Sequence, residues 1–308
     1  MVAKLLPPAH DSAEVVRDSI ANRRQHRDFF RALQEDWLAL IDDYNRLSGD
    51  PTAIAPIDLS QYISAERLQN EAASEPGRGE SDDPAERLYQ RRKKSLINLY
   101  SAAAGTNLHT TLDAMRRRHG LRFCPSCGEP GKPGTLDHYL PKTEYPEFSI
   151  VLENLTPMCE ACQEKKGTSA VDEEGNKLFI HPYYDPIEDA SLSLVISEPY
   201  ESPTSFNVEV HQDVPEQIRS LFERHLSEIN FRERFEEFCI DEYSDLLSLF
   251  TAERAGDNPD SARRILPRFL IKSAVQSHNR WEAIFYRGVL SNPDLLDYLD
   301  NADLPGLF

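Results

Sequence analysis

Two Cys-x-x-Cys pairs, Cys124 with Cys127 and Cys159 with Cys162, are separated by 31 residues, and no other feature constrains the chain as strongly. Four thiolates brought to one point make a tetrahedral zinc site with Zn–S of about 2.3 Å, and such a site is structural because no coordination position is left for substrate. The zinc would clamp the ends of the intervening segment together. Each pair encloses a short turn, Pro125-Ser126 in one and Glu160-Ala161 in the other. A redox reading fails on context, since no βαβ pattern flanks either pair and two matched pairs are present. The fifth cysteine, Cys239, lies in FEEFCI, where a buried small hydrophobe is expected rather than a reactive thiol.

A chain of 308 residues has room for about two domains and needs no disulfide framework. Its 40% hydrophobic and 28% charged residues, with a mean hydropathy of −0.55, exclude collagen-like, low-complexity and membrane-embedded classes. No apolar run approaches the roughly 18–20 residues of a spanning helix, and the N-terminal MVAKLLPPAHDSAE has no apolar region before its prolines and charges, so the cytoplasm is the expected compartment. The net charge of −18 argues at first against a nucleic-acid partner, because affinity for phosphate comes mainly from Lys and Arg. The distribution changes that reading. Arg91 to Arg122 holds eight positive residues against the single negative Asp113, whereas Val171 to Asp260 holds 6 positive and 22 negative. This asymmetry suggests a basic working surface and an acidic body that repels nucleic acid or binds a basic partner. For Arg91 to Lys94 alone, a solvated helix face is the simpler expectation.

Apolar spacing predicts one long or two short helices over Asp11 to Leu47, a helix opening near Asp83-Pro84 and running toward Tyr100, and another from about Asn107 to His119 that stops at Gly120. The polar AASEPGRGESDD reads as an exposed loop. Leu192 to His211 predicts a short hairpin, and Val214 to Leu304 is helical again, with boundaries at Asp257 to Asp260 and at Asn292-Pro293.

Between the cysteine pairs lie Leu136-Asp137-His138-Tyr139-Leu140-Pro141-Lys142 and Asn154-Leu155, and the second pair continues as Cys162-Gln163-Glu164-Lys165-Lys166-Gly167. In order and approximate spacing this set resembles the zinc-bound HNH endonucleases, also called His-Me finger or ββα-metal nucleases. The resemblance covers about Cys124 to Gly167. It implies a small zinc-stapled ββα-metal unit, and with the helical and hairpin spacing elsewhere the expected fold is mainly α with that unit embedded and a short β-hairpin. The implied segments are an N-terminal helical region (1–120), the nuclease core (121–185) and an acidic, mostly helical interaction domain (186–308). It also implies hydrolysis of phosphodiester bonds, in DNA in preference to RNA.

The resemblance further implies a role for each matching residue. His138 is the general base, consistent with a side chain that titrates near neutral pH. Asp137 offers a hard oxygen to Mg²⁺ or Mn²⁺, which needs only one or two carboxylates. Adjacent strand residues point to opposite faces, so both can address one phosphate only if the segment bends or the phosphate lies across the strand. Asn154 orients the loop, or simply caps a turn. Lys166, with Lys165, neutralises a phosphate, and Arg118 and Arg122, after Arg116 and Arg117, track a backbone. The departure is Gln163, where the family carries His or Asn as second metal ligand. His181 or Asp185, in an HPYYD segment similar to those that come after such cores in Septu-type and retron-linked antiphage nucleases, is expected to compensate; alternatively His181 caps a loop and the tyrosines pack. Those systems imply an ABC- or SMC-like ATPase partner, and the chain has no Walker A motif of its own. The competing reading is a zinc-stapled adaptor that has lost catalysis.

Overall fold

The computed structural model describes residues 3–187 and 190–304. These are 51% helix and 7% strand. Five helices come first: α1 (Ser12–Ala21), α2 (Arg27–Arg46), α3 (Ala65–Ala72), α4 (Pro84–Ile97) and α5 (Asn107–Arg117). The region expected as one or two helices is two, because the chain from Asn22 to His26 leaves the helix and α2 restarts after it. Asp11 accepts from the Ala13 N–H to cap α1, and Asp83 caps α4 with Pro84 in its first turn, a position where a missing N–H costs nothing. Along α2, Phe30, Leu33, Trp37, Ile41 and Tyr44 recur at helical spacing and are all buried, which makes α2 the spine of the N-terminal layer.

The exposed loop after α3 is fastened to α4. Arg87 pairs with Glu71 at 2.7 Å and donates to the carbonyls of Ser81 and Asp82, while Arg91 pairs with Glu71 and Glu80, both at 2.9 Å. Arg91 to Lys94 therefore differs from the solvated face that the sequence suggests: Arg91 is ion-paired and Arg92 is buried.

The cysteine-bearing segment then forms β1 (Thr135–His138), β2 (Leu155–Met158) and α6 (Glu160–Lys166). The strands pair antiparallel with Asp137 opposite Thr156 and His138 opposite Leu155. Residues 139–154 connect them through 3₁₀ turns at Pro146–Ile150 and Leu152–Asn154. A second antiparallel pair, β3 (Leu192–Ile196) and β4 (Phe206–Val210), is the expected hairpin. The chain closes with α7 (Glu216–Glu228), α8 (Phe231–Arg254), α9 (Ala262–Ala274), α10 (Trp281–Leu290) and α11 (Pro293–Asn301). One apolar cluster runs from Val16 to Leu299 and includes Cys124, Cys127, Cys162 and Phe148. No helix among the described residues is long and apolar enough to cross a membrane.

Candidate active site and metal centre

The first cysteine pair sits in a tight turn in which the Gly128 N–H donates to the Cys124 carbonyl and the Cys124 N–H to that of Glu129, with Gly128 at φ 88°. Glycine is required there because side chains rarely adopt that backbone. The second pair opens α6, with Cys159 as its N-cap accepting from the Cys162 N–H. All four sulfurs lie within 4.8 Å of one another, and Cys127 and Cys159 are 3.9 Å apart. Sulfurs at the corners of a tetrahedron around zinc are about 3.8 Å apart, given a Zn–S bond of about 2.3 Å, so the cluster fits a zinc site. Cys239 is buried on α8, away from this group.

Four thiolates on a divalent ion leave net negative charge, and the fold supplies a counter-charge from outside the motif. The Arg234 guanidinium on α8 reaches the sulfurs of Cys162 (3.4 Å), Cys159 (3.7 Å) and Cys127 (3.8 Å) and also pairs with Glu129. Hydrogen bonds from Cys124, Cys127 and Cys159, with Arg234 adding its own, hold the Cys162 thiol far below its ordinary range. Trp281 donates from Nε1 to the Cys127 carbonyl at 2.7 Å and from its backbone N–H to that of Gly128. Buried His225 donates from Nε2 to the Ser126 carbonyl at 2.9 Å. None of these three residues carries a local sequence signal; all come from helices C-terminal to the unit.

Asp137 and His138 end β1, both buried. Asp137 turns toward α6: its Oδ1 accepts from Gln163 Nε2 at 3.3 Å and its Oδ2 lies 3.2 Å from Lys166 Nζ, without a hydrogen bond of good geometry. His138 turns the other way. Its Nε2 donates to the Ser149 carbonyl at 3.0 Å, and its ring meets the edge of Tyr100 with centroids 4.5 Å apart. With Nε2 protonated, Nδ1 keeps a lone pair. Burial, reinforced by Lys142, drives the imidazole down to about 3, so the ring is neutral at physiological pH and does not titrate near neutrality as its residue type leads one to expect.

Asn154 is fully buried and ties the loop shut. It donates to the carbonyls of Leu140 and Phe148 and accepts from the Leu140 N–H at 2.7 Å and from Tyr44 Oη. This is the loop-orienting arrangement, and it exceeds a turn cap.

Two sequence expectations change. Lys166 is only 3% exposed and donates to the His138 carbonyl at 2.8 Å as well as facing Asp137, so it braces the site from inside instead of meeting a phosphate from solvent. His181 is completely buried, and both its ring nitrogens are committed: Nδ1 accepts from the Tyr183 N–H and Nε2 faces Tyr44 Oη at 2.9 Å. Its ring is packed among Tyr139, Tyr184, Tyr183 and Tyr44, which leaves no lone pair for a metal. Asp185 is likewise used, accepting from Lys177 and from the His181 N–H. The link from His181 through Tyr44 to Asn154 makes the HPYYD segment a support of the loop. Gln163 does reach Asp137. Lys165, Arg118 and Arg122 are exposed, as a backbone-tracking role requires.

Around His138, sequence reading passed over Tyr100 and Lys142, and Arg116, expected with its neighbours to track a backbone, is bonded to Tyr100. Arg116 donates to Tyr100 Oη at 3.0 Å, Tyr100 donates to the Leu136 carbonyl at 2.7 Å, and Lys142 Nζ lies 4.6 Å from the Tyr100 ring centre. Arg116 in the arginine triplet and Lys142 in the LPK step were the available signals; Tyr100 had none.

Protein ea31 of Escherichia phage lambda is 47% identical to the chain over 64 residues, which are 20% of this chain and 21% of that protein. The similarity thus spans about a fifth of each. No protein-family model and no solved structure matches.

Proposed function

We propose that the chain is a metal-dependent endonuclease of the HNH type that hydrolyses phosphodiester bonds, in DNA in preference to RNA. The observation that carries this reading is His138: a buried, neutral imidazole held by the Ser149 carbonyl at Nε2, which leaves Nδ1 unprotonated. In this reading His138 takes the proton of the attacking water at Nδ1, and Asn154 keeps the loop that presents it in place. Lys142 and Arg116 attract the scissile phosphate, and Lys165, Arg118 and Arg122 attract its neighbours. One carboxylate and one amide, Asp137 and Gln163 with its oxygen turned inward, suit Mg²⁺ or Mn²⁺; when bound, that ion stabilises charge on the phosphate and the departing oxygen. The four cysteines would hold structural Zn²⁺. The resemblance further supports an effector of antiphage defence in which the acidic segment docks on an ABC- or SMC-like ATPase.

A second reading, a zinc-stapled adaptor without catalysis, is favoured by Lys166, whose ammonium competes with a divalent ion for Asp137 Oδ2. Cleavage of supercoiled plasmid in Mg²⁺, Mn²⁺ and EDTA, beside His138→Ala, separates the two. A nuclease nicks DNA in a metal and loses about 10²–10⁴-fold in the variant. Absence of cleavage, with nucleic-acid binding unchanged in His138→Ala, favours the adaptor.

A further inference from the structure

The basic run on α4 leads to a second cluster, built by other elements than the Asp137–His138 site. α2 starts without a side-chain cap. The residue before it, His26, lies in the left-handed region at φ 56° and makes no capping hydrogen bond. Among the described residues, the N–H groups of Arg27, Asp28 and Phe29 have no acceptor. A 20-residue helix with an uncapped first turn presents partial positive charge and N–H groups, the arrangement that receives anions elsewhere, and the one acidic side chain of that turn, Asp28, is exposed.

The second observation is independent of the helix end. Arg92 of α4 reaches it: its guanidinium meets Nδ1 of His26 and lies 5.4 Å from the Phe29 ring centre. Arg92 is only 5% exposed, and its Nε has no hydrogen-bond partner. Arg23, just past the end of α1, donates to the Ser95 hydroxyl at 2.8 Å and covers the Phe30 ring, and its Nε is likewise unpartnered. The charged neighbours that act on His26 are Arg92, Arg23, Arg67 and Arg91, with no carboxylate among them. Arg91 spends its charge on Glu71 and Glu80, but neither Arg23 nor Arg92 has an acidic partner among the described residues. A solvated arginine needs none. Arg92 is buried and does, because removing a guanidinium from water without a counter-charge is strongly unfavourable, and its planar set of donors matches phosphate oxygens.

We propose that the first turn of α2, with His26, Arg23 and Arg92 and with Arg67 at its rim, is a binding site for a phosphate group. The group is either a backbone phosphate of nucleic acid or a free phosphate compound. Because the site is defined by binding, it stands apart from whether the chain cleaves anything.

The test is titration of the full chain with inorganic phosphate, read by ³¹P NMR and by thermal melting against chloride at equal ionic strength. Phosphate is expected to raise the melting temperature of the natural protein, and Arg92→Gln to weaken phosphate binding about tenfold or more. Arg67 is exposed, so Arg67→Ala leaves the fold intact and is expected to weaken binding about threefold; it decides the matter if Arg92→Gln does not fold. A ten-nucleotide oligothymidylate is then added. Competition with phosphate assigns the site to a nucleic-acid backbone, and binding of phosphate without competition assigns it to a free phosphate compound. A phosphate response in the natural protein that the variants reproduce undiminished, or no response in the natural protein at all, overturns the proposal.

Discussion

The cysteine cluster and the Asp137–His138 end share one strand pair and one helix, yet different parts of the chain hold them. The cluster leans on the C-terminal helices: Arg234 of α8 over the sulfurs, Trp281 of α10 and His225 of α7 on the turn between Cys124 and Cys127. The other end leans on the N-terminal helices. Tyr44 of α2 bonds Asn154, Trp37 of α2 donates to the Glu147 carbonyl at 2.8 Å, and the Leu96 carbonyl of α4 accepts from Ser149 Oγ. Charge is handled differently too. The Asp137 carboxylate finds Lys166 within its own unit, while the sulfurs import a guanidinium 72 residues further on from Cys162. The motif thus carries a counter-charge for Asp137 but none for four thiolates, and both ends borrow support from distant helices.

The largest effect is expected from Cys162→Ser. Metal binding to such sites is itself folding free energy, on the order of 10 kcal/mol in isolated zinc units, so the variant should lose its metal and the cooperative unfolding of the strand pair with α6. Metal analysis and calorimetry check this, and a metal-free variant that melts like the natural protein would remove the staple. Next in size is Arg234→Met, which keeps the bulk and removes the charge. It should weaken zinc binding roughly 10–100-fold, the range for partners outside the ligand set, as read by competition with a chromophoric chelator. If affinity is unchanged, the cluster does not depend on α8 for charge.

The smallest effect probes the other side. Glu147 is completely buried and accepts from the Ile57 N–H through Oε1, and burial pushes its carboxyl up to about 7 from 4.5. Between those values the folded state binds more protons than the unfolded one, so Glu147 lowers stability as pH rises and its full penalty is reached above about 7. Glu147→Gln should therefore be more stable than the natural protein at pH 8, by roughly 1–3 kcal/mol, and equal to it near pH 4.5. Melting at the two pH values measures this. Zinc affinity should not move, and if it does, the two ends are coupled.

Much of the fold was legible locally. The α2 stripe of Phe30, Leu33, Trp37 and Ile41, the Asp83-Pro84 start and the hairpin after Leu192 all rest on neighbours within a few residues, and α5 ends at Arg117, shortly before the expected stop at Gly120. Asn154 was singled out through the resemblance, and its bonds run both to Leu140 and Phe148 within the loop and to distant Tyr44. Lys166 was misjudged, and the metal-ligand alternative for His181 gave way to the packed one, for the complementary reason. Each is of a type that serves phosphates or metals when exposed, and only packing reveals that one ammonium bonds the His138 carbonyl and one imidazole lies among four tyrosines.

Which four sulfurs meet, and which carboxylate adjoins which imidazole, are properties of the amino-acid sequence alone, since both depend on spacing along a short stretch of chain. Packing between distant segments decided which charges are compensated, by Arg234 for the thiols and by Lys166 for Asp137, and which have no acidic partner among the described residues, at Arg23 and Arg92. Burial sets the worth of a charge: the same arginine is nearly free in water and needs a partner in the core, and a one-dimensional sequence does not record what surrounds it.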